Sequence, residues 1–252
     1  MIGKFFYKNI KTTAFILSLF YLLTACSIQP RISQQIDLKQ EYSNAITDAE
    51  VVEPLEISKD LIAIVPWDTN LVWKDNAENK RLLVVTWTSW NGYDEKIGQT
   101  MELSREIWVT AAPELKNFCK KQKLKKEKIT LRLEQLLGLP PGNGKTKFVE
   151  MWVSPNDLFR PSPDPEISDH EAELDFPASN LFLTVDENYI SWFNNLKENS
   201  YEDNGYPWTR LGYTYDWGNP SNEIGLSEFV IRKGATVEIH SVTMTLDYCQ
   251  WN

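Results

Sequence analysis

Apolar and polar positions along the chain change texture near residue 60. Residues 27–58 are rich in Gln, Ser, Asp and Glu and contain neither Trp nor Phe, so they carry too little large apolar surface to hold a core and read as a flexible tether. From Leu61 onward the pattern is that of packed structure. Residues 61–66 and 81–87 are short apolar, β-branched runs bounded by turn residues (Asp75-Asn76, Asn91-Gly92), which predicts strands, and 107–110 predicts another. Pro113 suits the first turn of a helix, and Leu115, Phe118 and Cys119 followed by Leu131, Leu133, Leu136 and Leu137 predict one broken or two short helices stopped at Gly138-Leu139-Pro140-Pro141. Residues 146–153 and 181–185 return to strand character, and Trp192, Phe193 and Leu196 share one face of a helix. The C-terminus predicts a hairpin, 229–232 and 236–248 joined at Lys233-Gly234. Its second strand changes face between Ile239 and Val242, the mark of a bulge. No repeat at solenoid or propeller period occurs. The expected fold is α+β, a predominantly β single domain over 61–252 with two or three short helices.

The first 26 residues follow a different logic. Lys4, Lys8 and Lys11 precede an apolar run, 14–23, that is shorter than the roughly 20 residues needed to span a bilayer. Leu23-Thr24-Ala25-Cys26 then closes it. This segment resembles a bacterial lipoprotein signal peptide with its lipobox. The resemblance implies a signal peptide over 1–25, a lipidated N-terminus at Cys26 and a tether over 26–60. Ser27, rather than Asp, after the cysteine implies sorting to the outer membrane. The expected location is therefore the cell envelope, facing the periplasm, with the membrane as a partner through the anchor at Cys26.

Charge narrows the partners. Removing residues 1–25 takes away three lysines and no acid, leaving 23 basic residues against 35 acidic ones. Nucleic acid is not expected, because binders of phosphate backbones present a basic face. The lysine cluster over 116–128 reads as a solvated helix face. With Cys26 lipidated, Cys119 and Cys249 are the remaining cysteines, and an even pair in an exported chain predicts a disulfide.

Candidate chemistry is sparse, and neither cofactor nor metal is expected. The glycine loop 138–146 misses the phosphate-loop spacing by one position, since residue 139 is Leu. Residues 157–175 hold the densest carboxylates. Arg160, Asp164, Glu166, Asp169 and His170 make a candidate acidic site there, but the glycine of a calcium loop is missing and His170 and His240 are too far apart in sequence for a zinc motif. No nucleophile elbow occurs. The more unusual feature is aromatic: the chain has ten Trp and ten Tyr, densest over 206–217. Alternation places Tyr213, Tyr215 and Trp217 on one strand face, where they read first as core of a Trp-rich β domain, with Trp208 near a loop at the surface. The alternative is that with Trp208 and Arg210 they form a candidate binding surface for a glycan or an envelope protein. A binding module is the leading expectation. An exported hydrolase using carboxylates of 157–175 is its rival, and a purely structural envelope lipoprotein is the third.

The anchor can be tested directly. Cys26→Ser removes the acceptor thiol and is expected to abolish metabolic fatty-acid labelling and release the protein from the membrane fraction; undiminished labelling would refute lipidation at this residue.

Overall fold

The computed structural model describes residues 37–74, 80–123, 125–177 and 184–249. The chain divides into two units, 1–43 and 44–252. The described part of the first, 37–43, is helical and continues as helix α1 (37–50) into the second. The second unit then runs β1 (Trp73–Lys74), β2 (Arg81–Thr88), β3 (Thr100–Glu102), β4 (Ile107–Ala111), α2 (Ala112–Gln122), α3 (Lys126–Leu136) and β5 (Lys147–Val153). It continues through β6 (Leu158–Phe159), α4 (Glu187–Ser200), β7 (Tyr213–Tyr215), β8 (Ile224–Ser227), β9 (Phe229–Ile231), β10 (Thr236–Met244) and α5 (Thr245–Tyr248). The fold is α+β with strands predominating, as the sequence pattern requires. Among the described residues no helix is long and apolar enough to cross a membrane.

One antiparallel sheet dominates, in the order β3-β10-β5-β2-β4-β9-β6, with β1 added beside β2; β7 and β8 form a separate pair. At its centre β2 and β5 pair over seven consecutive positions, from Leu82↔Val153 to Thr88↔Lys147. Ten of the fourteen paired residues are apolar, on both faces of the pair, because both faces are covered. Leu82, Val84, Val149, Met151 and Val153 face a cluster that also takes Val109, Phe229, Ile231, Val237 and Ile239 from the other strands. Leu83, Val85, Trp87, Phe148 and Trp152 face the opposite way, under Leu115 of α2, Ile129, Leu133 and Leu136 of α3, and Tyr248 of α5. Fully burying one such side chain contributes about 1.5–3 kcal/mol, so the two-sided pair is the stability centre of the molecule.

Helices α2 and α3 obey ordinary rules. Pro113 lies in the first turn of α2, and the helix stops at Lys123 in the left-handed conformation. α3 buries Ile129, Leu133 and Leu136 at helical spacing. It ends in a Schellman turn: Gly138 has positive φ, and the Leu139 N–H donates to the Glu134 carbonyl at 2.8 Å. Cys119 and Cys249 are disulfide-bonded, tying α2 to the residue that follows α5.

Four expectations need correction. The 229–248 hairpin does not form, because β9 pairs with β4 and β6 while β10 pairs with β3 and β5. The bulge in the second strand is present as a register shift between Ile239 and Ser241, but residues 245–248 turn helical. Residues 61–66 lie extended outside any strand, bonded through Leu61 and Ile64 to the carbonyls of His170 and Ile167. Packing also begins before Leu61: Ala45, Ile46 and Ala49 are buried, so residues 44–60 belong to the compact unit and the tether expectation fails there. Small apolar residues one helical turn apart suffice for close packing of a helix, a signal weaker than any Trp or Phe. The predicted strand 181–185 falls largely outside the described residues.

The Cys119–Cys249 bridge closes a span of 130 residues, for which loop entropy gives roughly 4–5 kcal/mol as an upper figure. Reduction is expected to lower the melting temperature by several degrees, and thiol titration of the denatured, unreduced folded unit should find no free sulfhydryl; two would refute the bridge.

Candidate functional site

On the helix-covered side of the sheet, packing leaves a cavity of about 410 Å³, within the range of pockets that hold small molecules. Its floor is the outward face of the central strands, with Val85, Trp87 and Phe148, and Leu115 of α2 beside them. The Schellman turn brings Leu137, Gly138 and Leu139 to one wall, and Leu196 and Ser200 of α4 form another. Trp108, Tyr206, Trp208, Tyr213 and Tyr215 complete the lining. Glycine suits position 138 because its φ is positive, a backbone conformation that side chains with a Cβ rarely adopt.

Among the described residues of this wall the Trp208 indole Nε1 is a buried donor without a partner; the charged and hydroxyl groups named next are engaged, with one exception. Thr110 Oγ1 donates to Glu114 at 2.8 Å. Thr214 Oγ1 donates to the Leu136 carbonyl and accepts from the Leu226 N–H. Ser200 Oγ donates to the Leu196 carbonyl, and Lys145 Nζ to the Trp87 carbonyl at 3.0 Å. Burial, with Arg105 nearby, lowers the Lys145 pKa. The exception is Glu228. It lies between β8 and β9, where alternation sends Leu226, Glu228 and Val230 to one side, and Phe229 and Ile231 to the buried sheet face. Its N–H bonds the Gly212 carbonyl, but its carboxyl has no hydrogen bond or ion pair to any described residue. Burial pushes this carboxyl up to about 8, with no opposing contribution.

A second raised carboxyl stands behind the wall. Glu114, at the start of α2, accepts from Thr110 and from the Ser227 N–H and hydroxyl. Burial still pushes it up to about 7. It does not line the cavity.

The residues singled out from sequence distribute unevenly over the molecule. The aromatic run forms core rather than an exposed platform, against the surface place expected for Trp208. Trp208, Tyr213 and Trp217 are buried, and the register of β7 shifts between Tyr213 and Tyr215, leaving Trp217 beyond the strand. Tyr213 donates to the Glu56 carbonyl and Tyr215 to Asp48. Trp217 Nε1 donates to the Leu139 carbonyl at 3.0 Å. Arg210 is buried against the carbonyls of Ala49 and Glu50 and over the Tyr201 ring. Of the five, Trp208, Tyr213 and Tyr215 do meet, on the inward-facing wall of the cavity.

The acidic loop is structural. Arg160 is 1 % exposed and donates to Asp169 and to the carbonyls of Glu171, Ile62 and Asp169. Asp164 and Glu166 each accept from backbone N–H groups of the same loop, and His170 Nδ1 meets the Leu61 carbonyl. None of these lines the cavity, and no metal-binding cluster occurs among the described residues. Cys26 lies outside the described residues. Trp87, Trp108, Lys145 and Glu228 were not singled out from sequence; a lone acid inside the apolar stretch 226–231 was the available signal for the last.

Compared with known proteins, the chain matches no family, no curated protein and no solved structure. Function has to come from the geometry.

Because Glu228 and Glu114 hold protons more tightly folded than unfolded, the folded state gives up stability as pH rises from the ordinary carboxyl range, near 4.5, to about 8. Glu228→Gln removes the Glu228 share and is expected to stabilise the protein at pH 8 by about 2–4 kcal/mol while changing little at pH 4.5. Denaturant melts at the two pH values measure this; equal effects at both would refute a neutral, desolvated Glu228.

Proposed function

We propose that this chain is a lipid-anchored cell-envelope protein acting as a binding module, and that it takes a small, flat, largely apolar molecule into the Trp87–Trp108–Trp208 cavity. The observation that carries this reading is a cavity of about 410 Å³ walled by aromatic rings and almost without free polar groups. Binding sites for drug-sized molecules have this character: apolar walls and a few placed polar atoms.

The same observation weighs against a glycan. A sugar ring carries several hydroxyls, each needing a partner on desolvation. Here Thr110, Lys145, Ser200 and Thr214 are committed to protein groups. A two-carboxylate hydrolase gains no support either, because Glu228 is the single carboxylate on the wall among the described residues. Envelope location rests on the lipobox-like N-terminus alone, and the membrane is the partner it implies.

Isothermal titration with indole, a neutral flat probe, is expected to give saturable binding in the micromolar to millimolar range with a negative heat-capacity change from buried apolar area. Leu196→Trp adds a ring on α4 at the cavity wall and should weaken that binding at least tenfold in a protein that still melts cooperatively. Binding undisturbed by this change would place the probe elsewhere and refute the cavity as the site.

A further inference from the structure

The cavity's uncommitted carboxyl, Glu228, constrains what its occupant must carry. Among the described residues the buried charged side chains have partners: Glu150 accepts from Lys116, Ser241 and Tyr248. Asp216 takes a bidentate contact from Arg132. Lys147 donates to Asn91 and Asp94. Glu134 accepts from Gly142 and Asn143. Glu228, on the wall of the cavity that the aromatic rings also line, has none. Glu228 is half-buried, its charged form is disfavoured by desolvation, and a fold that pairs its buried charges leaves this group for something outside the chain.

Resting on the binding reading above, we propose that the occupant is an organic cation: a flat apolar body bearing an ammonium group that ion-pairs with the Glu228 carboxylate, flanked by Trp108, Trp208 and Tyr215. Aromatic faces attract cations through their quadrupoles, by about 0.5–2 kcal/mol per ring according to desolvation. A carboxylate beside such rings supplies the charge-assisted hydrogen bond that fixes orientation. An anion would face Glu228 with no offset but Lys145, whose ammonium is held on the Trp87 carbonyl. A neutral ligand gains at most a hydrogen bond to the protonated carboxyl, with neither the ion pair nor the attraction to the rings.

Proton balance gives the proposal a signature. The free protein holds a proton on Glu228 at neutral pH, and a cation that pairs with the carboxylate expels it, releasing one proton to solvent. Below about pH 8 the affinity therefore rises with the ionised fraction, about tenfold per pH unit. The other titratable groups facing the cavity are Lys145, Tyr206, Tyr213 and Tyr215. Tyr213 and Tyr215 are pushed upward by burial, and Lys145 is lowered from the ordinary lysine range. Glu114 titrates near 7 behind Thr110, so the dependence that remains in Glu228→Gln measures its contribution.

The test compares three isosteres by titration calorimetry at pH 6, 7 and 8: tryptamine (ammonium), tryptophol (neutral) and indole-3-acetate (anion). Tryptamine should bind tightest at pH 7 and 8, gain about tenfold between pH 6 and 7, and release close to one proton when heats are compared across buffers of different ionisation enthalpy. Glu228→Gln should bring the tryptamine-to-tryptophol ratio to about one and remove the proton release. Tryptophol binding as tightly as tryptamine in the wild type at pH 8, or a tryptamine preference that survives Glu228→Gln, would overturn the cation assignment while leaving the cavity a binding site. Failure of all three probes to bind the folded wild type would overturn the cavity reading itself.

Discussion

The architecture depends on the seven-position pairing of β2 with β5. Each strand sends alternate side chains to opposite faces, and both faces find cover, so the pair commits the chain to a layer on each side. The strands that flank it share the cluster of Val84, Met151, Phe229 and Ile239; α2, α3 and α5 cover Val85, Trp87, Phe148 and Trp152. A one-residue slip in this register would exchange the two sets of residues. It would set Trp87 and Phe148 against the face packed with valines and methionine, so register is fixed by volume as well as by polarity.

The cavity follows from how the second layer is assembled. α2 and α3 cover the half of the face near Leu115 and Leu133, and the Cys119–Cys249 bridge holds α5 to them. α4 belongs to another cluster, with Phe159, Trp208 and Val230, and β7 contributes Tyr213 to a third. Where the three clusters meet, the sheet lies under elements that pack chiefly against their own neighbours. Large rings such as Trp108 and Trp208, crossing edge-on with centroids 6.2 Å apart, span the junction without filling it.

What was legible in the sequence tracks the range of the interactions involved. The strands over 81–87 and 146–153 and the helix stop at Gly138 are local, and they were readable. The hairpin at Lys233-Gly234 was misread because its turn chemistry is right while the pairing partners lie far away: β9 is taken by β4 and β6, β10 by β3 and β5. The disulfide came from counting cysteines, which needs no geometry. The aromatic run shows the limit most plainly. Alternation assigns a face to Tyr213 and Tyr215, but whether that face meets water or a cavity is decided by α4 and the Leu137–Leu139 turn, tens of residues away in the chain. Residues 44–50 were missed for the opposite reason: Ala45 and Ala49 are buried by close approach, and alanine carries almost no sequence signal for it.

Glu228 ties these strands of reasoning together. Local consistency is what a stable sequence maximises, and breaches of it collect where function demands them. The stretch 226–231 reads Leu-Ser-Glu-Phe-Val-Ile. Leu or Val at 228 would continue the apolar face shared with Leu226 and Val230, fill part of the cavity and remove a desolvated acid; each change would stabilise the fold. The neighbouring Ser227 is answered in full by Glu114 and the Ile62 N–H, so the chain supplies partners on one side of this residue and none on the other. A cavity and an unpaired carboxyl each cost stability when free. At one site, a ligand with a cationic head and an apolar body would offset both.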